Sequence, residues 1–439
     1  MSDWKRVTAY SRALYTQLGE VRGPIREKAT YSVGPEWIPQ FVGSDKKWGN
    51  KAEEWAYEWM KICDIRGEPY DFHVDLNLAS IAIDRDGDVG CLLTDSEYPQ
   101  IQYIPAHRIG CRDFEETIKR GPYKGLSTYN GVIFNNVGRA VAYQILGNTP
   151  DQDQWVSARD MSLIFDPDWV DQGRGITCLS HAILRLFDLQ DIDDATLTAI
   201  KAAATIALME WNDDGEATSG SNRTSTVNSD GTGLTIEEFD RGSVRYFRSK
   251  SGGRIETLND NRPSQNTSEF KEKMLRSVYQ GLEWPYELAR DASSLNGGPF
   301  RAALARAGRT VAKRQKTLKK LGIRKLGFGI SKAIKLGIMP PSAEWWKWDF
   351  QMPRIITADQ GRESQQDRSD IEAGLRTKKE DASEQGKWWE DIQDQKEIEV
   401  DDQLTRAARL AKKHNVSIEV ALTMLGKVTP NGNLPTSQT

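Results

Sequence analysis

"MSLIFDPDWVDQGRGITCLSHAILRLFDLQ", residues 161–190, changes character halfway along. Its opening, "MSLIF", is β-rich, while "ITCLSHAILRLFDLQ" places Leu179, Ile183, Leu186 and Phe187 on one helical face. Between the two, Asp166, Asp168 and Asp171 crowd into six residues, followed by Gly173, Arg174 and Gly175. Three acids so close together can hold a divalent cation. A polar loop uses the same residues for turn geometry alone. The first reading makes the stretch a catalytic mouth; the second makes it a joint between a strand-rich body and a helix. The rest of the chain has to decide between them.

The totals exclude several classes. At 439 residues the chain has material for two or three domains. Its 63 acids against 59 bases leave a net charge of −4, which does not mark a nucleic-acid binder. Cys63, Cys91, Cys111 and Cys178 never form a CxxC pair and are expected to be buried thiols in a reducing compartment. His73, His107, His181 and His414 are equally scattered. The opening "MSDWKRVTAY" lacks an apolar stretch, and no run approaches the ~18 apolar residues of a membrane span. We therefore expect a chain that is soluble and intracellular at synthesis, with no membrane partner.

One further cluster imitates a metal site. "DRDGDVGCLLTD", residues 84–95, spaces Asp84, Asp86 and Asp88 like a calcium loop. The sixth position is Val89 where that loop needs Gly, and the twelfth is Asp95 where it needs Glu. The flanks "LASIAI" and "VGCLLT" alternate, so two strands joined at Asp86-Gly87 are expected. The chain carries no phosphate loop, dinucleotide fingerprint, nucleophile elbow or zinc-protease helix motif.

Outward from the joint, residues 1–62 are helical in texture and 75–165 strand-like, with "IFNNVGRAVAYQIL" a hairpin. After the first helix, Asp193 or Asp194 is placed to cap a second, Ala-rich helix reaching Trp211. Residues 212–233 are polar, and much of that stretch is expected to be mobile. Residues 234–258 look like strands. Residues 268–289 look like an amphipathic helix with Phe270, Met274, Val278 and Leu282 on its face. Between Phe300 and Met339 stand twelve Lys or Arg and no acid. A helix over that segment would be ~60 Å long, though Gly308, Gly322, Gly327 and Gly329 argue against a straight one. Residues 359–402 reverse the sign, with fifteen acids against seven bases. Two helices bracketing a small β insertion suggest a stalk with a tip.

Taken in order, these segments resemble the lambda-type portal proteins of tailed bacteriophages. "QYIPAHRIG" and "NGVIFNNVGRAVAYQIL" resemble the family's strands before the stem. The joint and its helices follow, and "GRIETLNDNRPSQNTSEFKEKMLRSVYQGLEWPYELARDASSLNGGPFRAALARAGRTVAKRQ" resembles the segment after the clip. The resemblance covers roughly residues 75–350. It implies an α+β portal fold assembled as a ring of about twelve subunits. By order, it implies an α/β wing at 1–175, a stem helix at 176–211, a clip at 212–264 and a returning stem helix at 265–290. A tunnel loop at 291–299, a spine helix and wing return at 300–354, and a helical crown and tail at 355–439 complete the chain.

The resemblance also implies roles for particular residues. Asp291, Ser293, Ser294, Asn296, Gly297 and Gly298 would form the tunnel loop. Arg301, Arg306, Arg309, Lys313, Arg314, Lys316, Lys319 and Lys320 would bridge to neighbouring subunits or make sparse contacts to DNA. Asn212, Asp213, Asp214 and Arg223 would lie on the clip's docking surface. The implied partners are further copies of the chain, double-stranded DNA passing without sequence preference, the terminase large subunit, a head–tail adaptor and the major capsid protein. The implied location is the portal vertex of the virion, after assembly in the host cytoplasm. No catalytic residue, cofactor or metal is implied. Two other readings stay open: a metal-dependent DNA-processing enzyme using Asp166, Asp168 and Asp171, and another phage connector protein.

Overall fold

A computed structural model describes residues 2–422 apart from 95, 113–116, 120, 213–222, 228–232, 240–241, 249–253, 257–264, 291–296, 354–359, 385–388, 415–416, 419 and 421. At 2–3, 202–265, 360–364, 383–384 and 390–391 any description is of the backbone alone. The chain opens with helices α1 (Ser2–Gln17) and α2 (Gly19–Val33), strand β1 (Ile38–Phe41), and helices α3 (Lys46–Lys61) and α4 (Phe72–Asp86). Seven short strands follow: β2 (Val89–Leu93), β3 (Ile101–Pro105), β4 (Ser127–Tyr129), β5 (Val132–Phe134), β6 (Ala140–Ile145), β7 (Gln154–Ser157) and β8 (Met161–Ile164). Helix α5 (Ile183–Thr205) leads into β9 (Ile206–Asn212), β10 (Arg223–Val227), β11 (Gly233–Phe239), β12 (Gly242–Arg248) and β13 (Arg254–Glu256). The remainder is α6 (Gln265–Gly281), α7 (Tyr286–Arg290), α8 (Gly297–Lys335), β14 (Trp348–Gln351), α9 (Gln360–Glu372), α10 (Lys378–Glu384) and α11 (Trp389–His414). The fold is α+β, as expected.

Two compact units divide the chain. The first comprises Met1–Lys28, Ile81–Gly90 and Ile104–Thr310; the second comprises Ala29–Ser80, Cys91–Tyr103 and Val311–Thr439. In the first, β4-β5-β6-β7 form an antiparallel meander over Ile118, Ile133 and Ala142. Its opening turn is Asn130-Gly131, both with positive φ, which is the two-residue hairpin geometry that Asn-Gly favours. A five-stranded sheet of order β10-β11-β12-β9-β13 lies between α5 and α6 in sequence, with β12 and β9 parallel. A third sheet has the order β3-β2-β8.

Several expectations need correcting. The strand expected at "LASIAI" is part of α4, so no hairpin forms at Asp86-Gly87. The Asp71 carboxylate accepts from the Val74 N–H at 2.7 Å and caps this helix. Phe72, Leu76, Ala79 and Ile83 are then all buried at helical spacing. Gly87 does take positive φ (96°), but it ends a helix and does not turn a hairpin. Helix α5 is likewise continuous through Asp193 and Asp194, whose interior cost is only tenths of a kcal/mol. It stops at Thr205, and Trp211 lies in β9, because residues 206–212 pair with β12 and β13. In α6 the buried positions are Leu275, Val278 and Tyr279; Phe270 is exposed. Of the cysteines, Cys63 and Cys91 are buried, and Cys111 and Cys178 only partly so.

The second unit packs aromatic rings around α8. Phe72 stacks on Phe350 with ring centres 5.4 Å apart, and Phe350 meets Trp37 at 5.8 Å. β1 pairs antiparallel with β14 beside them. Gly322 and Gly329 do not break α8. A Cβ at Gly322 would meet Phe350 at 3.2 Å, and one at Gly329 would meet Trp59 at 2.9 Å, so both glycines make room for rings.

In the same unit Asp64, Asp75 and Lys325 are buried together, with the more exposed Arg66 closing the group. One Arg66 nitrogen (Nη2) reaches Asp64 at 2.7 Å and Asp75 at 2.9 Å, while Lys325 of α8 lies 3.5 Å from the other Asp75 oxygen. Burial pushes the Asp75 carboxyl up to about 7, against the pull of Lys325 and Arg66. The folded chain therefore holds a proton there that the unfolded chain releases near pH 4. Asp75 thus contributes a stability that is present at acid pH and lost as pH rises through 7. We expect the thermal midpoint of Asp75→Asn, minus that of the parent, to increase between pH 5 and pH 8 at matched protein concentration. Parallel profiles would remove Asp75 from the pH response.

Candidate functional site

The joint at 165–177 is organised by Arg174, which is only 1% exposed. Its Nε and Nη2 grip both oxygens of Asp88 at 2.6 and 2.9 Å. The remaining donors reach three backbone carbonyls: Ile109 at 2.8 Å, Asn130 at 2.5 Å and Ala106 at 3.1 Å. Its guanidinium plane also stands 4.1 Å from the Trp4 ring of α1. The next residue completes the clasp. Gly175 donates its N–H to Asp88 at 3.0 Å, and its carbonyl accepts from Trp4 Nε1 at 2.8 Å. A Cβ on Gly175 would lie 2.0 Å from the Gly87 carbonyl oxygen, so the two backbone segments cross where only glycine fits.

Asp84, Asp86 and Asp88, spaced like a calcium loop, each take a cation of the chain itself. Asp84 pairs with Lys28 at 3.2 Å, and its carbonyl accepts from Thr177 Oγ1 at 2.9 Å. Asp86 receives forked contacts from Arg12 (2.7–2.8 Å) and Arg85 (2.8–2.9 Å). Burial raises the Asp86 carboxyl, but the hydrogen bonds from Arg12 and Arg85 outweigh it and hold the group below the usual range. Asp88 belongs to Arg174. Together these carboxylates fasten α1, α2 and the joint to the end of α4.

The three acids of the joint have a different setting. Asp168 and Asp171 are exposed, and Gln172 folds back to accept from the Asp168 N–H at 2.6 Å while donating to the Arg174 carbonyl at 2.9 Å. Among the described residues no group of three or more His, Cys, Asp or Glu is placed to hold a metal ion. The stretch connects β8 to α5. Among the described residues, too, no helix is long and apolar enough to cross a membrane.

Beyond the joint, α5 and α6 run close together. A Cβ on Gly281 would overlap the His181 ring, and Lys271 pairs with Asp193 across the helices. Asn212 closes β9 and Arg223 opens β10, whereas Asp213 and Asp214 lie outside the described residues. The mobility expected of 212–233 falls largely on undescribed positions, but 223–227 is a strand. Asp291, Ser293, Ser294 and Asn296 also lie outside the described residues. Gly297 and Gly298, expected in the tunnel loop, instead form the first turn of α8, with Pro299 where a helix start tolerates it.

The basic set divides in two. Arg301, Arg306, Arg309, Lys313, Lys316 and Lys320 are exposed along α8. Lys319 pairs with Asp349 at 2.5 Å, and Arg314 is buried, donating to the Ser80 carbonyl at 2.8 Å. Arg314 is therefore structural. Sequence reasoning missed Lys325, although it falls on the same helical face as Val311, Leu318 and Leu321.

The chain thus joins a strand-rich body, two helices that bracket a β sheet in sequence, and a long basic helix. Residues 1–315 match the family described as phage portal protein, lambda family. The chain belongs to that family. Among solved structures it is similar to a chain from the "Neck of empty GTA particle computed with C6 symmetry", at 10% identity and a TM-score of 0.52, over 87% of this chain and 93% of that one. A chain from the "Virion of native gene transfer agent (GTA) particle" reaches 12% identity and a TM-score of 0.45, over 87% and 93%. No curated protein matches the chain.

Replacing Arg174 by Ala should cost about 3–5 kcal/mol in urea unfolding, because Asp88 would stay buried without its partner. Arg174→Lys should recover only part of the loss, since an ammonium cannot reproduce the fork. A change below about 1 kcal/mol for Arg174→Ala would show that the clasp does not hold the joint.

Proposed function

We propose that this phage portal protein forms a ring of about twelve subunits around a channel for double-stranded DNA, at one vertex of the capsid. Family membership over residues 1–315 carries the reading. It is used for genome packaging, head–tail joining and DNA ejection. The α5–α6 pair acts as the stem, and the β9–β13 sheet between them in sequence acts as the clip. Asn212, Asp213, Asp214 and Arg223 dock the terminase large subunit during packaging and a head–tail adaptor afterwards. The body meets the major capsid protein. Assembly takes place in the host cytoplasm and the ring ends in the virion.

The charge supports a passive conduit. Neutralising phosphates with many cations would hold DNA tightly, whereas a subunit of net charge −4 lets it slide. Asp291, Ser293, Ser294 and Asn296 form the constriction, in the segment that immediately precedes α8. Arg301, Arg306 and Arg309 then stand on the first turns of that helix, for sparse contacts to phosphate or to a neighbouring subunit.

Mass photometry of the purified protein should show rings of about twelve subunits, with neighbouring ring sizes tolerated. Only monomers and dimers at micromolar concentration would sink the proposal. Supercoiled plasmid incubated with the ring and magnesium should stay intact, and cleavage abolished by Asp166→Asn, Asp168→Asn and Asp171→Asn would restore the enzyme reading.

A further inference from the structure

Inside the second unit, Asp75 of α4 meets Lys325 of α8 without the bonds a buried ion pair normally makes. Both side chains are fully buried, and Lys325 Nζ stands 3.5 Å from Asp75 Oδ2. Neither atom has a hydrogen-bond partner among the described residues. Two aromatic rings cover the nitrogen, with the centre of Phe72 at 4.2 Å and that of Tyr103 at 5.3 Å. The other Asp75 oxygen is engaged, since Arg66 Nη2 donates to Oδ1 at 2.9 Å. Asp64 hydrogen-bonds the same carboxyl and accepts from the same Arg66 nitrogen at 2.7 Å.

A buried ion pair holds when hydrogen bonds satisfy its remaining donors and lone pairs. A charged pair placed as this one forgoes those bonds, and a neutral pair, amine beside carboxylic acid, forgoes less. Burial pushes the Asp75 carboxyl up to about 7, against the pull of Lys325 and Arg66, so the acid form is present at neutral pH. An uncharged amine in apolar surroundings is a nucleophile, which an ammonium is not. Near-attack geometries hold reacting groups about 3–3.5 Å apart, and the Lys325 nitrogen is already in contact with the carboxyl it would attack.

We infer that Lys325 and Asp75 join in an isopeptide bond, an amide cross-link that the chain forms within itself between α4 and α8. The inference concerns one chain and is independent of the ring reading. The Nζ lone pair attacks Asp75 Cγ, and Arg66 stabilises the negative charge that gathers on Oδ1. One proton leaves the nitrogen, the bond from Cγ to the other oxygen breaks, and that oxygen departs as water. No oxidant or second molecule is needed. Burial raises the Asp64 carboxyl, but the bonds from Arg66 outweigh it and hold the group below the usual range. Asp64 is therefore an ionised base on the reacting carboxyl, able to relay the proton from nitrogen to oxygen. Once linked, Asp75 has no proton to exchange, so the pH response described for its carboxyl is that of the chain before linking.

The intact mass of the purified full-length protein, read in denaturant, tests the bond. The linked chain should be one water lighter than its sequence. Trypsin should leave a branched peptide in which residues 67–85 are joined to 325–332, with the chain uncleaved after Lys325. Lys325→Arg and Asp75→Ala should both return to their full sequence masses. Asp75→Asn should still link, losing ammonia in place of water, and Asp64→Asn should link roughly a hundredfold more slowly. The wild-type digest decides by itself, whether or not a variant folds. Wild-type protein at its full sequence mass after prolonged incubation at neutral pH, with the two peptides separate, overturns the inference and leaves an ion pair. A chain one water lighter but without the branched peptide also overturns it, in favour of a cyclic imide at an aspartate such as Asp86, which Gly87 follows.

Discussion

A fully buried guanidinium has to be paired or it destabilises the fold, and Arg174 meets that condition through five hydrogen bonds at once. The acceptors come from three local structures: Asp88 after α4, Ala106 and Ile109 after β3, and Asn130 in the β4–β5 turn. These segments are far apart in sequence and none has a strong local reason to meet the others. Buried ion pairs of this kind give little net stability compared with an apolar substitute. What this one specifies is position, because the planar fork is satisfied in a single arrangement.

The glycine crossing follows from the same arrangement. For Gly175 to donate to Asp88 while Arg174 grips the same carboxylate, its backbone has to pass the Gly87 carbonyl closer than any Cβ allows. Gly87 is in turn the residue that ends α4. One ion pair therefore accounts for a helix stop, a glycine in the joint and the direction in which the chain enters α5. The acids that look like a calcium loop are the other half of this system. Three carboxylates in five residues repel one another unless each has its own cation, and Lys28, Arg12 with Arg85, and Arg174 supply them.

Much of this was legible in the sequence, and the failures have physical causes. The change of period at the joint, the hairpin in "IFNNVGRAVAYQIL" and the long basic helix all rest on local pattern, and they stand. "LASIAI" failed because a six-residue window of small apolar side chains suits a strand and a fully buried helix equally; the cap at Asp71 lay outside the window considered. Residues 206–212 failed because their fate is set by β12 and β13, more than thirty residues away. The stretch at 165–177 was read as the link between strand and helix that it is, yet Arg174 was noticed only as a neighbour of aspartates. Its partner is 86 positions distant, and nothing local announces that distance.

Helix α8 shows how one stretch of like charge serves two purposes. Counted along the chain, its twelve cations form one basic segment. Sorted by face, Arg314 and Lys325 are buried, the first donating to the Ser80 carbonyl and the second standing 3.5 Å from an Asp75 oxygen, and Lys316 and Lys320 are exposed. The inward pair has to be matched within the chain, since water cannot reach it to screen it. Exposed cations such as Lys316 and Lys320 are hydrated, and water screens whatever they meet. A charge run read by total alone predicts affinity for any polyanion. Read by face, it separates the cations that build the subunit from those that face solvent, and salt screens the second group far more than the first.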